Sequence, residues 1–176
     1  MNAKIKKYVK KLAEEVDTLG KERPFHTTSG LDVTVIGGNY GWKIDQKAEI
    51  KVLKKNIKNQ QQVTRKPEYS QEELYIDNHG LGDTYIEVNL TEQHLYYYKK
   101  GKVVLDTPFV SGRMTKDRFT PPGVYFLTYK QKDRILRGRP NASGQPSYQS
   151  HVNYWMPFNG GVGIHDLASR GNNFWR

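Results

Sequence analysis

Any reaction carried by this 176-residue chain has to use imidazole, hydroxyl, carboxylate or amine groups, because cysteine is absent. Its absence excludes disulfides, thiolate metal ligands and a cysteine nucleophile within these residues. The histidines are His26, His79, His94, His151 and His165. His94 falls among aromatic residues in a strand-like run, and His26 and His79 flank loops, where imidazole normally serves as a solvated or hydrogen-bonded structural group. His165 is different. It follows "GGVGI" at the end of a strand-like segment, and glycines there let backbone approach a ligand closely. An imidazole in that place could donate to a substrate carbonyl or balance a nearby thiolate.

His151 and His165 lie fourteen residues apart around "VNYWMPFNGGVGI" and meet only if the two segments are sheet neighbours. A metal site built on them would need a third protein ligand, for which Asp166 is nearest. That is the weaker reading, and neither a metal nor another cofactor is expected. Ser111, Ser143, Ser147, Ser150 and Ser169 are alternative nucleophiles, but none sits in an elbow motif and none is spaced to pair with His165 and an acid. The chain contains no HExxH, Walker A, EF-hand or GxSxG pattern. "GGNYGW" at 37–42 lacks the spacing of a phosphate loop and reads as a turn.

The elements that would position these groups emerge from periodicity. Ile5, Val9, Leu12, Val16 and Leu19 recur at helical spacing and Gly20 supplies a stop. "LDVTVIGG" predicts one strand, with Leu31, Val33 and Val35 on a common face. Asp45 is a predicted N-cap for a helix whose stripe is Ile50, Leu53 and Ile57. Residues 1 to about 60 therefore read as helix, strand, helix, and the polar stretch around Pro67 ends the first domain near residue 68.

From Leu74 the pattern becomes short aromatic and β-branched runs divided by turns. "DTYIEVNL" alternates like a half-buried strand, "QHLYYYKKGKVVLDTPFVSG" predicts two strands turning at Lys100 and Gly101, and "GVYFLTY" predicts another. Residues 130–149 carry charge, Gly, Pro and Ser with little periodicity and read as a loop over a binding groove. "SHVNYWMPFNGGVGIHD" returns to strand character. The absence of helical crossovers argues for an antiparallel sheet assembly.

Composition narrows the partners. The net charge of +10, with 28 Lys and Arg against 18 Asp and Glu, favours encounter with polyanions. No aromatic and basic platform for single strands is present, so nucleic acid is not expected. An anionic cell-wall polymer remains a candidate. No run is long and apolar enough to span a bilayer, and the charged start lacks the apolar core of a signal peptide.

With the elements in order, "YIEVNLTEQHLYYYKKGKVVLDTPFVSGRMTKDRFTPPGVYFL" (85–127) and "YWMPFNGGVGIHD" (154–166) resemble the L,D-transpeptidase, or YkuD, catalytic domain. "VIGGNYGWKIDQKAEIKVLKKNI" is similar to the peptidoglycan-binding-like domain that precedes it in Enterococcus-type members. The resemblance implies a mostly β catalytic domain of packed, curved sheets over 72–176, preceded at 1–68 by part of a small α/β domain. In the family signature, Ser or Thr, His, Gly and the nucleophilic Cys come some fourteen to seventeen residues after the first histidine. Only eleven residues follow His165. The expectation is a C-terminally incomplete catalytic domain, inactive alone.

For the complete protein the resemblance implies cysteine acyl transfer between peptidoglycan stem peptides, giving 3-3 cross-links, and acylation by carbapenems. Catalytic residues are expected to be absent from this chain. His165, Tyr154, Trp155, Gly161 and Gly163 are expected to shape or support the substrate groove, although at least one of the aromatics should be core packing, since alternate strand side chains face inward. The rival function is a non-catalytic cell-wall binding module. The implied location is extracytoplasmic, at the wall or outer membrane face, with any anchor outside this sequence. An incomplete sheet would also invite a complementing fragment or a swapped chain at its edge.

Overall fold

The computed structural model describes residues 2–116 and 118–166, which fall into two compact units. One comprises the chain up to Tyr85 with Tyr98–Lys102 and Pro122–Val124; the other comprises Ile86–Tyr97, Val103–Pro121 and the chain from Tyr125 onward. In chain order, a small α/β region precedes a β-rich part with open sheets.

The first element is α1, Asn2–Val16, which buries Ile5, Val9 and Ala13. Leu12 and Val16 are only half-buried, so the contact stripe is rotated slightly from the one the large side chains suggest. A hairpin comes next, β1 (Arg23–His26) and β2 (Asp32–Val35), paired from Arg23↔Val35 to His26↔Asp32. The sequence predicted only the second strand. Pro24 hides the first, since proline cannot donate to a ladder; it is tolerated because a two-stranded sheet consists entirely of edges. Leu31 and Val33 remain exposed.

Beyond the hairpin lie β3 (Lys43–Ile44), α2 (Gln46–Lys58) and β4 (Tyr69–Gln71), with β3 and β4 antiparallel. Asp45 caps α2 as its sequence predicts, its carboxylate accepting from the Lys47 and Ala48 amides at 3.0 and 2.9 Å. The buried side chain of α2 is not one of the predicted apolar stripe but Glu49, and Ile57 is exposed. Arg65 donates through both guanidinium nitrogens to the Glu49 carboxylate at 2.8 and 3.0 Å, and the Glu68 amide adds a third bond at 2.9 Å. This ties the polar segment around Pro67 to the helix. A second buried pair, Arg23 with Glu73, also binds Thr18 and the His79 carbonyl. Gly38 (φ +93°) bridges to Val124, and a Cβ at that glycine would stand 1.9 Å from the Val124 carbonyl oxygen. The "GGNYGW" turn is thus a close backbone crossing.

A three-stranded sheet then runs in the order β5-β6-β7, formed by Tyr85–Asn89, His94–Lys99 and Lys102–Pro108. The two-residue turn at Lys100 (φ 53°) and Gly101 (φ 70°) has the positive φ at both positions that a twisted hairpin favours. A second sheet has the order β10-β9-β8, with β8 at Gln131–Arg137, β9 at Gln149–Asn159 and β10 at Val162–His165.

Two expectations are corrected here. Residues 130–149 are not one long loop, because Gln131–Arg137 pairs with β9 from Gln131↔Trp155 to Arg137↔Gln149. Only 138–148 forms the turn, held by the Pro140↔Pro146 bridge and the Asn141 amide bonding the Gln145 carbonyl at 2.7 Å. β8 is an exposed edge strand, so charge along its length costs nothing and masks the alternation. Conversely, "GVYFLTY" forms no strand; Val124 makes its single bridge and the Thr128 amide bonds the Pro157 carbonyl at 2.8 Å. Among the described residues, no helix is long and apolar enough to cross a membrane.

Candidate functional site

β9 is the central strand of its sheet and contributes the two aromatics singled out in the sequence. Their side chains leave the strand on alternate faces. Trp155 is buried, 7% exposed, and Tyr154 is 52% exposed. The indole lies beneath β10, where the pairs Gly163↔Pro157 and His165↔Trp155 set the register. A Cβ on Gly163 would sit 2.8 Å from Trp155 Cη2, the Met156 carbonyl oxygen and Pro157 Cα. Glycine is needed at 163 for space, and the space is filled by the indole. Two residues on, the His165 ring lies 5.8 Å from the indole, tilted by 45°.

His165 is exposed at the strand end, with Nδ1 2.9 Å from the Asp166 carbonyl oxygen. A carbonyl only accepts, so Nδ1 carries the proton and the neutral ring presents Nε2 as an acceptor. Donation from Nε2 to a substrate carbonyl therefore requires the imidazolium. The sequence does not reveal this restriction, which comes from the backbone carbonyl of the next residue.

Asp166 fastens the end of β10 to β9. Its carboxylate accepts from the Tyr154 amide at 2.7 Å, the Asn153 amide at 3.2 Å and Asn153 Nδ2 at 2.8 Å. Partial burial raises its pKa, but these three bonds outweigh that and hold it below the usual aspartate range. Tyr154, on the alternate face, pairs across the sheet with Lys132, whose ammonium lies 5.8 Å from the ring centre. Lys132, Asp133, Asn153 and Tyr154 border an open depression of about 430 Å³. Asp133 (φ 53°) also meets His151 Nε2 at 2.5 Å.

The fold therefore brings His165, Gly163 and Trp155 together and sets Tyr154 on the other face of the same strand. Gly161 stands at the β9–β10 turn, where an added Cβ would meet no atom within 4 Å. His151 is four residues along β9 from the partner of His165, a separation of about 13 Å at ordinary strand rise. The two histidines do not converge, and among the described residues no group of three His, Asp or Glu is placed to hold a metal. Ser169 lies outside the described residues. Lys132, Asp133 and Asn153 were missed in the sequence, the first two because 130–149 reads there as a loop and Asn153 because its partner Asp166 lies at the end of another strand.

This geometry can be set beside known proteins. Residues 83–176 match the model of the L,D-transpeptidase catalytic domain, YkuD, and residues 2–65 match that of a proposed peptidoglycan binding domain. The chain belongs to the L,D-transpeptidase catalytic domain family. Among solved structures it is similar to a cysteine-to-serine mutant of Enterococcus faecium L,D-transpeptidase, at 41% identity and a TM-score of 0.74, covering 95% of this chain and 65% of that one. It is also similar to the Ldtfm–avibactam carbamoyl enzyme, at 39% identity and a TM-score of 0.76, covering 99% and 68%. The chain thus spans about two thirds of the length of these L,D-transpeptidases. No curated protein matches it.

Proposed function

We propose that these residues serve a peptidoglycan L,D-transpeptidase that forms 3-3 cross-links by cysteine acyl transfer between stem peptides. The family match over 83–176 carries this reading. The catalytic domain begins near residue 72, and 1–68 belongs to a peptidoglycan-binding-like α/β domain. A family thiolate attacks the carbonyl between the third residue of a donor stem and its terminal D-residue. That bond breaks, the D-residue leaves as an amine with a proton, and the resulting thioester is attacked by an acceptor amine, which regenerates the thiol.

This chain contains no cysteine, so its residues supply the groove and not the nucleophile. His165 is a positioning residue, oriented by the Asp166 carbonyl and backed by Trp155. Gly163 admits the indole, and Tyr154 and Gly161 border the approach. No metal or other cofactor takes part. The location is extracytoplasmic, at the cell wall or outer membrane face. The basic surface is suited to an anionic wall polymer as a secondary partner, and nucleic acid is not a partner.

Titration of the isotopically labelled chain with an uncross-linked tetrapeptide muropeptide tests the reading. Amide signals of 151–165 should shift, and His165→Ala should weaken the effect several-fold. Shifts confined to 2–65, or produced equally by glycan or polyphosphate without a stem peptide, would instead support a non-catalytic wall-binding module.

A further inference from the structure

Charge is unevenly divided along the chain. The first 68 residues hold 15 of the 28 Lys and Arg but only 8 of the 18 Asp and Glu, so most of the net +10 resides there. Helix α2 concentrates it. Lys47, Lys51, Lys55 and Lys58 are all exposed. At about 100° per residue they fall within about 80° of the helix circumference and form a stripe about 16 Å long. Glu49, the buried residue of α2, lies nearly opposite.

This charge is not neutralised locally. Glu49 is the one carboxylate between 46 and 58, and it is 3% exposed and held by Arg65. Asp45, at the cap, accepts from the Lys47 and Ala48 amides. Among the described residues, none of the four lysines forms an ion pair with a carboxylate. Lys47 with Lys51 and Lys51 with Lys55 are like-charge pairs one turn apart, which works against the helix. The helix dipole favours Lys55 and Lys58 in the last turn but disfavours Lys47 in the first. Folding therefore does not account for the stripe, whereas an anion laid along it would relieve the repulsion. On α1, by contrast, Lys10 and Lys11 pair with Glu14 and Glu15 at 3.8 and 3.5 Å, so acid interrupts that cationic face.

We propose that this face of α2 binds a linear phosphodiester polymer of the cell wall, one built on alditol repeats. The wall as its source rests on the location proposed above; the charge match rests on the helix alone. Lysines one turn apart have Cβ atoms about 5–6 Å from each other. Phosphates joined through a three-carbon alditol recur at a comparable interval, so successive phosphates meet successive ammonium groups. An ammonium is a compact charge on a flexible stem and suits a polymer without a fixed conformation. Two other polyanions fit less well. α2 contains no aromatic residue on which a base could stack, and Ile57, the large apolar residue it exposes, lies well off the stripe and cannot carry it into a bilayer.

Anisotropy of end-labelled poly(glycerol phosphate), titrated with the 176-residue chain over a salt series, tests the site. It uses neither muropeptide nor carbapenem, so its outcome is separate from that of the transpeptidase reading. Affinity should fall as salt rises. Lys51→Gln with Lys55→Gln should weaken binding at least tenfold and flatten the salt slope by about one to two units. Glutamine keeps the helix propensity of lysine, and circular dichroism of the variant checks that the helix is retained. Lys99→Gln with Lys102→Gln removes the same charge from exposed positions on β6 and β7 and should change affinity by less than about twofold. Equal losses from the two pairs would overturn the proposal, because the polymer would then be drawn to net charge and not to α2. So would absence of binding at low salt, or binding to an oligonucleotide or to phosphatidylglycerol vesicles as tight as to poly(glycerol phosphate).

Discussion

At residue 163 the side chain is excluded by three atoms at 2.8 Å, and two of them belong to backbone that cannot turn aside. Gly163→Ala should therefore destabilise the chain by about 1–3 kcal/mol, the usual range for overpacking. Gly161→Ala, with open space around it, should change stability by less than about 0.5 kcal/mol. Urea unfolding of the two variants measures the contrast; equal midpoints would mean that the indole is not held against β10. Asp166 makes a pH-dependent contribution. Its folded pKa is depressed, so its stabilisation is complete above the unfolded aspartate value and is lost as pH falls through the folded one. Asp166→Asn should remove that part of the acid sensitivity, read as a smaller drop in midpoint below about pH 4. Of these two features, the glycine was noted in sequence, but as room for a ligand and not for the indole that fills the space. The carboxylate clamp was not, since its partners are twelve and thirteen residues away on another strand.

Elements defined by local chemistry were legible. The Asp45 cap depends on amides two and three residues ahead, and the β6–β7 turn is marked by Gly101, which adopts positive φ without a side-chain clash. Elements whose identity depends on distant partners were not. β8 looks like a loop until β9 is placed beside it, and "GVYFLTY" looks like a strand although its neighbours supply almost no ladder. β1 was hidden by Pro24. The same division applies to the Glu49–Arg65 pair, sixteen residues apart, which an apolar stripe cannot announce. Arg65→Ala should leave a buried carboxylate with one amide donor. Because the arginine is a quarter exposed, the expected cost of about 2–3 kcal/mol lies at or below the lower end for breaking a buried pair. A double-mutant cycle with Glu49→Gln should recover part of that loss, and additive costs would show that the pair is not coupled.

Across the whole molecule, the order of motifs pointed to the family and the mostly β character before any coordinates, because each motif is a local turn or strand and their sequence order is preserved. The placement of Tyr154, Trp155, Gly163 and His165 needed the sheet order β10-β9-β8, which periodicity does not encode. The proposed function separates scaffold from nucleophile: the chain packs His165, Trp155 and Gly163 together at the end of β10 and contains no thiol. Intact mass after incubation with a carbapenem tests this most directly, run on the 176-residue chain and on the same residues continued to a family cysteine. The expected result is unchanged mass for the first and a single acyl adduct on the second. An adduct on the chain as it stands would contradict the account, because some group within these residues would then be acting as the nucleophile.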